Sequence, residues 1–219
     1  SVYRRFVIKN GGMFARQMRL PKKQSFFLFV PRGTGKSTML RAAHPRAVYL
    51  DLLDLGLYAE LLAHPDRLEP MLAPQRPELV ILDEIQRLPM LLDEVHQLIE
   101  RRRWRFALTG SSARKLRRGA ANLLAGRARM LRMHPLTAAE LGDAFDLRRS
   151  VRTGQLPAAY VEEDPERYLS SYVGAYLREE VQAEALTRNL EAFSRFLVAA
   201  SFSQASVLSV SNVARDIGL

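Results

Sequence analysis

The residues of this chain best suited to chemistry form a short loop between an apolar run and a helix-like segment. The loop comprises Val30, Pro31, Arg32, Gly33, Thr34, Gly35, Lys36, Ser37 and Thr38. Its spacing is close to G-x-x-x-x-G-K-[ST], in which backbone N–H groups and a helix N-terminus surround a polyphosphate. Lys36 would then reach the β- and γ-phosphates, and the Ser37 hydroxyl would bind Mg²⁺. We therefore predict a nucleotide site at residues 31–38; the alternative is a strand, turn and helix with incidental glycines.

The loop departs from the pattern at its first position, where Val30 replaces a glycine. Pro31 holds the residue before it in extended geometry, in which a β-branched side chain is comfortable, so little backbone strain is expected. The valine side chain is expected to lie near the phosphates or the helix and to hinder binding there. Replacing Val30 by glycine should then tighten nucleotide binding.

A second candidate motif is the apolar run Leu79–Leu82, which ends abruptly in Asp83 and Glu84. A carboxylate at the end of a buried strand can hold Mg²⁺, and we assign this role to Asp83. Glu84 is predicted to orient and deprotonate the attacking water. The alternative is an ordinary strand end followed by a helix cap, and the position of the pair after a phosphate-type loop favours the catalytic interpretation.

A third candidate follows another apolar run, at Leu108-Thr109-Gly110-Ser111-Ser112. A short hydroxyl there could reach between the first two motifs and contact the γ-phosphate or position the water. Ser111 is the first choice and Thr109 the second. Ser111 and Ser112 would serve equally well as helix caps, and the two uses do not exclude each other.

These motifs must be positioned by a scaffold, and the apolar runs indicate an α/β fold. Five short strands are predicted, at Ser25–Val30, Ala47–Leu50, Leu79–Asp83, Trp104–Thr109 and Arg129–Met133. Helix-like segments lie between them; the clearest, Leu91–Glu100, has apolar residues at helical spacing. This alternation predicts a parallel sheet with helices on both faces, whose ligands bind at the carboxyl ends of the strands. We also predict an N-terminal helical segment over residues 3–19, interrupted at Gly11-Gly12.

Composition narrows the class of protein. The 219 residues contain no cysteine, which excludes disulfides, thiolate metal sites and cysteine nucleophiles, and the four histidines (His44, His64, His96, His134) lack metal-ligand spacing. Neither a membrane span nor a signal peptide is expected, so the predicted location is the cytoplasm. The net charge of +10 and the basic runs at 101–105 and 114–118 suggest a nucleic-acid or acidic-protein partner. Solvated helix ends are the alternative for the first run.

With these motifs in this order, the chain resembles the AAA-type P-loop ATPases. More closely, it resembles bacterial and archaeal ATP-binding proteins that join an AAA-type core to a C-terminal domain of unknown function. The matching stretches are residues 31–38, 82–89, 108–116, 123–127, 135–141 and 176–180. The resemblance covers most of the chain from about residue 20 onward. Together with the pattern of predicted elements, it gives an N-terminal helical segment at 1–19, an AAA-type ATPase core at 20–154 and a helical region at 155–219 that begins an incomplete helix-turn-helix-like domain.

The resemblance also implies ATP as the nucleotide and Mg²⁺ as the cofactor. It makes Arg127 a candidate for the arginine that acts on the γ-phosphate of its own or a neighbouring subunit, with Arg114 as runner-up and a surface arginine as the alternative. A homo-oligomer is therefore a candidate assembly. Two functions stay open: an ATP hydrolase that couples nucleotide state to conformational change, or a nucleotide-gated regulatory or nucleic-acid-binding module with weak or no turnover.

Beyond Gly154 the pattern becomes helical. Asp164-Pro165 is typical of a helix start, and the stripe Leu169, Val173, Leu177 and Val181 is expected to pack with the tyrosines beside it. A second helix, predicted over about Leu190 to Phe202, should bury Phe193, Phe196 and Leu197. The segment 209–218 resembles the first helix and turn of a helix-turn-helix, which needs a second helix to read bases. The sequence stops before such a helix, so we expect the polypeptide to be a fragment of a longer protein; the alternative is a degenerate domain.

Overall fold

The centre of the structure is a parallel sheet, seen here in a computed structural model of the chain. The structure describes residues 5–7, 13–111, 124, 126–176, 181, 189–202 and 209–216. The main-sheet strands are β3 (Ser25–Phe29), β4 (Val48–Asp51), β5 (Leu79–Asp83), β6 (Arg105–Gly110) and β7 (Ala128–Arg132), and a separate hairpin contains β1 (Arg5–Val7) and β2 (Met13–Ala15). The sheet order is β4-β5-β6-β3-β7, with every neighbouring pair parallel. The predicted α/β fold is confirmed, each predicted strand lying within about one residue of an observed one.

Both faces of the sheet are covered by helices, because nearly every residue of the central strands β3, β5 and β6 is buried. In β3, Phe26 and Leu28 pack on one face with Met39 and Leu40 of α1, while Phe27 and Phe29 pack on the other. The second face is larger and receives apolar side chains from α2, α3 and α4. A strand buried on both sides is held in one position, which fixes the loop that follows it.

The helices connect the strands and then continue alone toward the C-terminus. They are α1 (Lys36–Ala43), α2 (Leu55–Ala63), α3 (Leu68–Leu72), α4 (Leu91–Arg102), α5 (Ala138–Leu141), α6 (Leu147–Thr153), α7 (Pro157–Val161), α8 (Pro165–Tyr176), α9 (Leu190–Phe202) and α10 (Val210–Asp216). Short 3₁₀ turns occur at Pro65–Arg67, Ala73–Gln75, Ile85–Arg87 and Gly142–Ala144. None of the described helices is long and apolar enough to span a bilayer.

The N-terminal prediction of a helical segment over residues 3–19 is wrong. Strands β1 and β2 pair in antiparallel fashion, with Phe6 opposite Phe14. Aromatic and β-branched residues favour strands, and two glycines between two short apolar runs are a turn signal rather than an interruption of a helix. Phe14 then packs with Leu136, Leu141 and Tyr160 in a small cluster of its own.

The chain forms two compact units, residues 1–165 and 166–219. The domain boundary predicted at residue 154 stays a prediction, and the first unit also includes α7, which lies beyond that residue. In the second unit, Tyr168, Tyr172 and Tyr176 stack in sequence along α8, and Val181 is fully buried. Val173 is 45% exposed, however, and in α9 Leu197 is exposed while Phe193 and Phe196 are half-buried, so the expected burial of these side chains is not observed.

The side chain of Val30 lies in the core instead of facing the phosphate loop. It is 3% exposed and packs in the apolar cluster of Phe26, Leu28, Met39 and Met133. Its backbone N–H continues the sheet by donating to the Gly110 carbonyl at 3.1 Å. The expectation that this valine crowds the phosphates is therefore corrected. Val30 continues the alternation of side chains between the two faces of β3, which places it in the core with Phe26 and Leu28.

Val30→Ala should lower the free energy of unfolding by about 2 kcal/mol, because it removes buried methyl groups and leaves a small cavity. The same substitution at Val151, which is 77% exposed on α6, should change stability by less than about 0.5 kcal/mol. Urea unfolding of both variants measures the difference. Tighter nucleotide binding by Val30→Ala without a loss of stability would contradict this placement.

Candidate functional site

The loop predicted to bind phosphate lies at the carboxyl end of β3, the strand between β6 and β7. Gly33 and Gly35 have φ values of 74° and 83°, in the left-handed region that glycine adopts at little cost. Helix α1 begins directly after them, with Gly35 as its N-cap and Lys36 as its first residue. The N–H groups of the first helical turn have no intrahelical acceptor, so they are available to an anion.

Within the loop, the Thr34 side chain stabilises the backbone conformation. Its side chain is buried and donates a 2.8 Å hydrogen bond to the Pro31 carbonyl. By contrast, Pro31, Arg32, Gly33 and Thr38 are exposed, and Lys36 and Ser37 are half-buried. The loop is thus closed on itself by one side chain, while its exposed residues face solvent.

Lys36 binds both acids of the second motif. Its Nζ lies 2.5 Å from Asp83 Oδ1 and 2.7 Å from Glu84 Oε1. Asp83 ends β5 and Glu84 follows it. Because β6 separates β5 from β3, the lysine side chain spans the end of the intervening strand. The structure thereby brings together the lysine and both acids that the sequence singled out.

Asp83 is buried and accepts hydrogen bonds from several donors. Thr109 Oγ1 donates to Oδ1, Tyr49 OH donates to Oδ2, and Ser37 Oγ lies 3.0 Å from Oδ2. Burial alone would raise the pKa of this carboxyl, but the Lys36 ammonium and the Thr109 and Tyr49 hydroxyls outweigh burial and lower it. Asp83 is therefore held as a carboxylate. Thr109, the second choice for a phosphate contact, instead supports this acid.

Tyr49 is a partner of the site that the sequence did not reveal. It lies on β4, beside β5, and burial together with its hydrogen bond to Asp83 raises the pKa of its phenol, so the hydroxyl stays a donor. The Arg41 guanidinium of α1 covers the ring, 3.7 Å from its centre. Tyrosines are common in strands, so the sequence alone does not single out Tyr49. Only the pairing of β4 with β5 brings its hydroxyl to Asp83.

Glu84 occupies a left-handed backbone conformation, with φ 59° and ψ 41°. Such a conformation is uncommon for a residue with a side chain and tends to occur at functional sites. Gln86 Nε2 donates to Glu84 Oε2 and also lies 3.3 Å from Ser111 Oγ. Ser111, the first choice for a phosphate contact, therefore lies one amide group away from Glu84, and Gln86 is the second partner that sequence reasoning missed.

The oxygen atoms of this site fit a magnesium ion. Mg²⁺ prefers hard oxygen ligands and is commonly held by one or two protein groups together with phosphate oxygens. The Ser37 hydroxyl and an Asp83 carboxylate oxygen lie side by side, next to the loop. They are the residues that would hold the ion.

Arg127 lies at the opposite edge of the sheet. It precedes β7, whose first residue, Ala128, pairs with Ser25 at the amino end of β3. Five residues of strand separate that end from the loop, about 16 Å. Arg127 Nε instead contacts Glu100 Oε1 at 2.5 Å on the surface, and this contact lowers the pKa of Glu100. The prediction that Arg127 acts on a nucleotide bound to its own chain is therefore corrected. The runner-up, Arg114, lies outside the described residues.

The first basic run is partly neutralised within the molecule. Arg101 and Arg102 both contact Glu69, at 3.4 and 2.6 Å, and Arg105 donates to the Lys22 carbonyl. Arg103 ends α4 in the left-handed conformation. These contacts agree with the alternative of a helix end with complementary charge. The second run, at 114–118, and Ser112 lie outside the described residues.

A family model described as an AAA domain matches residues 22–142. This match covers more than half of the chain and includes the loop, both acids and Ser111. The chain belongs to the AAA domain family. The resemblance to AAA-type P-loop ATPases is thereby confirmed, and the match ends at residue 142, before the C-terminal helical region.

Two solved structures show how this AAA domain compares with other proteins. No curated protein matches it. The ORC2 protein of Aeropyrum pernix, solved in ADPNP and ADP complexes, is similar with a TM-score of 0.39 and 18% identity over 90% of this chain and 62% of that one. Drosophila ORC bound to AT-rich DNA and Cdc6 has a TM-score of 0.34 and 12% identity over 85% of this chain and 79% of that one. Scores this low transfer no property of those proteins to this chain.

Replacing Lys36 by methionine should lower the free energy of unfolding by about 3–5 kcal/mol at pH 7, because a buried carboxylate loses its cation. In the wild type, the lowered pKa of Asp83 gives stability that is present above the unfolded value of about 4 and is lost as the pH falls through the folded value. In the variant, the ammonium no longer opposes burial, so the pKa of Asp83 should be higher than in the wild type and protonation should relieve the penalty. The stability difference should therefore shrink between pH 7 and about pH 4.5.

Urea unfolding at the two pH values measures this difference. Lys23→Met, at an exposed lysine, is the matched control and should show a small difference that does not depend on pH. A Lys36→Met difference of equal size at both pH values would show that the ammonium does not hold Asp83 ionised.

Proposed function

We propose that this AAA domain binds ATP with Mg²⁺ at residues 31–38 and hydrolyses it. The observation that carries the proposal is the contact of Lys36 Nζ with both Asp83 and Glu84, beside a glycine loop that opens a helix. A lysine in this position can exchange its carboxylate partners for phosphate oxygens. The loop N–H groups and Lys36 would bind the phosphates, and Ser37 and Asp83 would hold the metal.

In the proposed reaction, the oxygen of a water attacks the γ-phosphorus, and the bond from that phosphorus to the β–γ bridging oxygen breaks. Glu84 accepts the proton that the water loses, and ADP and inorganic phosphate leave. When bound, Mg²⁺ supplies positive charge to the β- and γ-phosphates. Ser111 would contact the γ-phosphate from the end of β6. The departure of Lys36 from the acids upon nucleotide binding is the change that couples nucleotide state to conformation.

The second candidate function is a nucleotide-gated module with weak or no turnover. It is favoured by the same ion pair, because nucleotide must break a contact between buried groups before Lys36 can bind phosphate. Partners of such a module would be an acidic protein or a nucleic acid, as the +10 charge suggests, and its predicted location is the cytoplasm.

Turnover of ATP with magnesium separates the two functions. Lys36→Ala should abolish nucleotide binding, because the phosphates lose their cation. Glu84→Gln should keep the affinity for ATP and lower kcat by at least about 100-fold, because the water loses its base. Calorimetry measures the affinity and phosphate release measures kcat.

Lys23→Ala is the matched control, since Lys23 is exposed at the amino end of β3, away from the loop. It should behave as the wild type in both assays. Equal turnover in the wild type, Lys36→Ala and Glu84→Gln would refute the proposal that this site hydrolyses ATP. ATP binding without turnover in the wild type would favour the gated module.

We further propose that Arg127 acts on the nucleotide of a neighbouring subunit. Its place at the amino edge of the sheet removes it from its own loop, and its side chain is 41% exposed on the surface, where a second copy could approach. An arginine supplied by a neighbour can raise kcat by about 10³–10⁵. A homo-oligomer in which the sheet edge of one chain meets the loop of the next would place it there.

Mixing two inactive variants tests this arrangement. Arg127→Ala and Glu84→Gln should each be inactive alone, but a mixture should regain part of the turnover, because some interfaces combine an intact Glu84 with an intact Arg127. Arg101→Ala, at an exposed arginine paired to Glu69, is the control and should stay active alone. A mixture as inactive as its components would contradict the proposal.

A further inference from the structure

The side chain of Gln86 connects two residues of the candidate site. It lies in the 3₁₀ turn Ile85–Arg87 that follows the acids and is 8% exposed. Its Nε2 donates to Glu84 Oε2 and lies 3.3 Å from Ser111 Oγ. One amide group thus touches both the residue proposed as the base and the residue proposed to contact the γ-phosphate.

The amide is fixed in place by close packing against Gly110. A Cβ added to Gly110 would lie 2.0 Å from Gln86 Oε1 and 2.9 Å from its Cδ. Glycine is therefore required at the end of β6 for the amide to reach its position. Oε1 is buried and has no hydrogen-bond partner among the residues that the structure describes.

The orientation of this amide follows from the charge of Glu84. Exchanging its oxygen and nitrogen would let Ser111 donate to the oxygen, but it would turn an oxygen toward the carboxylate. A hydrogen bond to a charged group is stronger than one between neutral groups. The observed orientation therefore gives Glu84 its donor, while no described residue donates to the Gln86 carbonyl oxygen.

We propose that Gln86 is a positioning residue that couples Glu84 to Ser111 and so links the base to the γ-phosphate. This inference rests on the proposed function. In the structure, Glu84 is held by Lys36 and by Gln86. Once Lys36 turns to the phosphates, Gln86 is the side-chain donor that remains to Glu84 among the described residues. It then keeps the carboxylate aimed at the water, while Ser111 transmits the position of the phosphate to the same amide.

The effect should appear in kcat and leave nucleotide affinity unchanged, because Gln86 touches the base and not the loop. A base displaced by about 1 Å can cost about 100-fold in rate. We expect Gln86→Met, which keeps the length of the side chain and removes the donor, to lower kcat by about 10–100-fold. The affinity for ATP should stay within about twofold of the wild type, since Lys36 and the loop are untouched.

Two further variants separate positioning from mere support of the fold. Gln86→Glu keeps the shape but replaces the donor by a carboxylate that repels Glu84, so it should lower kcat at least as much. Gly110→Ala keeps Gln86 and displaces its amide, and it should reproduce the loss. Gln97→Met, at an exposed glutamine of α4, is the matched control and should behave as the wild type.

The link to Ser111 is tested by a double-mutant cycle on kcat. Ser111→Ala and Gln86→Met should be non-additive, with the double variant losing clearly less than the product of the two single losses. Strictly additive losses, or a Gln86→Met variant with wild-type kcat, would overturn this inference and leave the proposed function intact.

A wild type that binds ATP without turnover would overturn both this inference and the proposed hydrolysis. Loss of ATP affinity in both Gln86→Met and Gln86→Glu would show that Gln86 only supports the fold, which would also overturn this inference.

Discussion

The contact of one ammonium with two neighbouring carboxylates is the interaction on which the rest of the site depends. Asp83 is buried at the end of an apolar strand, where an unpaired carboxylate would be costly. Lys36 meets that requirement, and it is assisted by the hydroxyls of Thr109 and Tyr49. In the proposed function, a nucleotide would have to offer Lys36 better partners than the acids, and the two hydroxyls would have to keep Asp83 stable once the ammonium has turned away.

The order of the strands determines how Lys36 and the two carboxylates meet. Because β6 lies between β3 and β5, the lysine and the acids face each other across the end of a single strand. The last residues of β6 must then be small or hydroxylated. Thr109 reaches Asp83, and Gly110 leaves room for the Gln86 amide while its carbonyl accepts the N–H of Val30. The end of β6 is thus shaped by its two neighbours, which explains why a glycine follows a buried threonine there.

The sequence predicted those parts of the protein that depend on local patterns. Buried strands are continuous apolar runs, and the lysine loop and the Asp83-Glu84 pair are recognisable by spacing alone. Parts that depend on which strands become neighbours were missed. Tyr49 reaches Asp83 only because β4 pairs with β5, and Gln86 matters only because a glycine of another strand makes room for it. The error at Val30 has a similar origin: a motif position suggested a side chain facing the phosphates, but the alternation of β3 carries it into the core. At residues 3–19, the prediction of a helix is wrong because the two short apolar runs form paired strands, whose side chains repeat every two residues.

The position of Arg127 bears on how the charge of a nucleotide can be balanced. The magnesium complex of a triphosphate is still an anion, and the carboxylates of Asp83 and Glu84 that would face it are negative as well. Lys36 carries one positive charge and Arg32 of the exposed loop adds a second, so the assembly would keep a net negative charge. The structure keeps Arg127 on Glu100, at the amino end of β7, away from its own loop. In the proposed assembly, an arginine of a neighbouring copy would supply further positive charge, so that an isolated chain would bind nucleotide and yet turn it over slowly until a second copy docks against it.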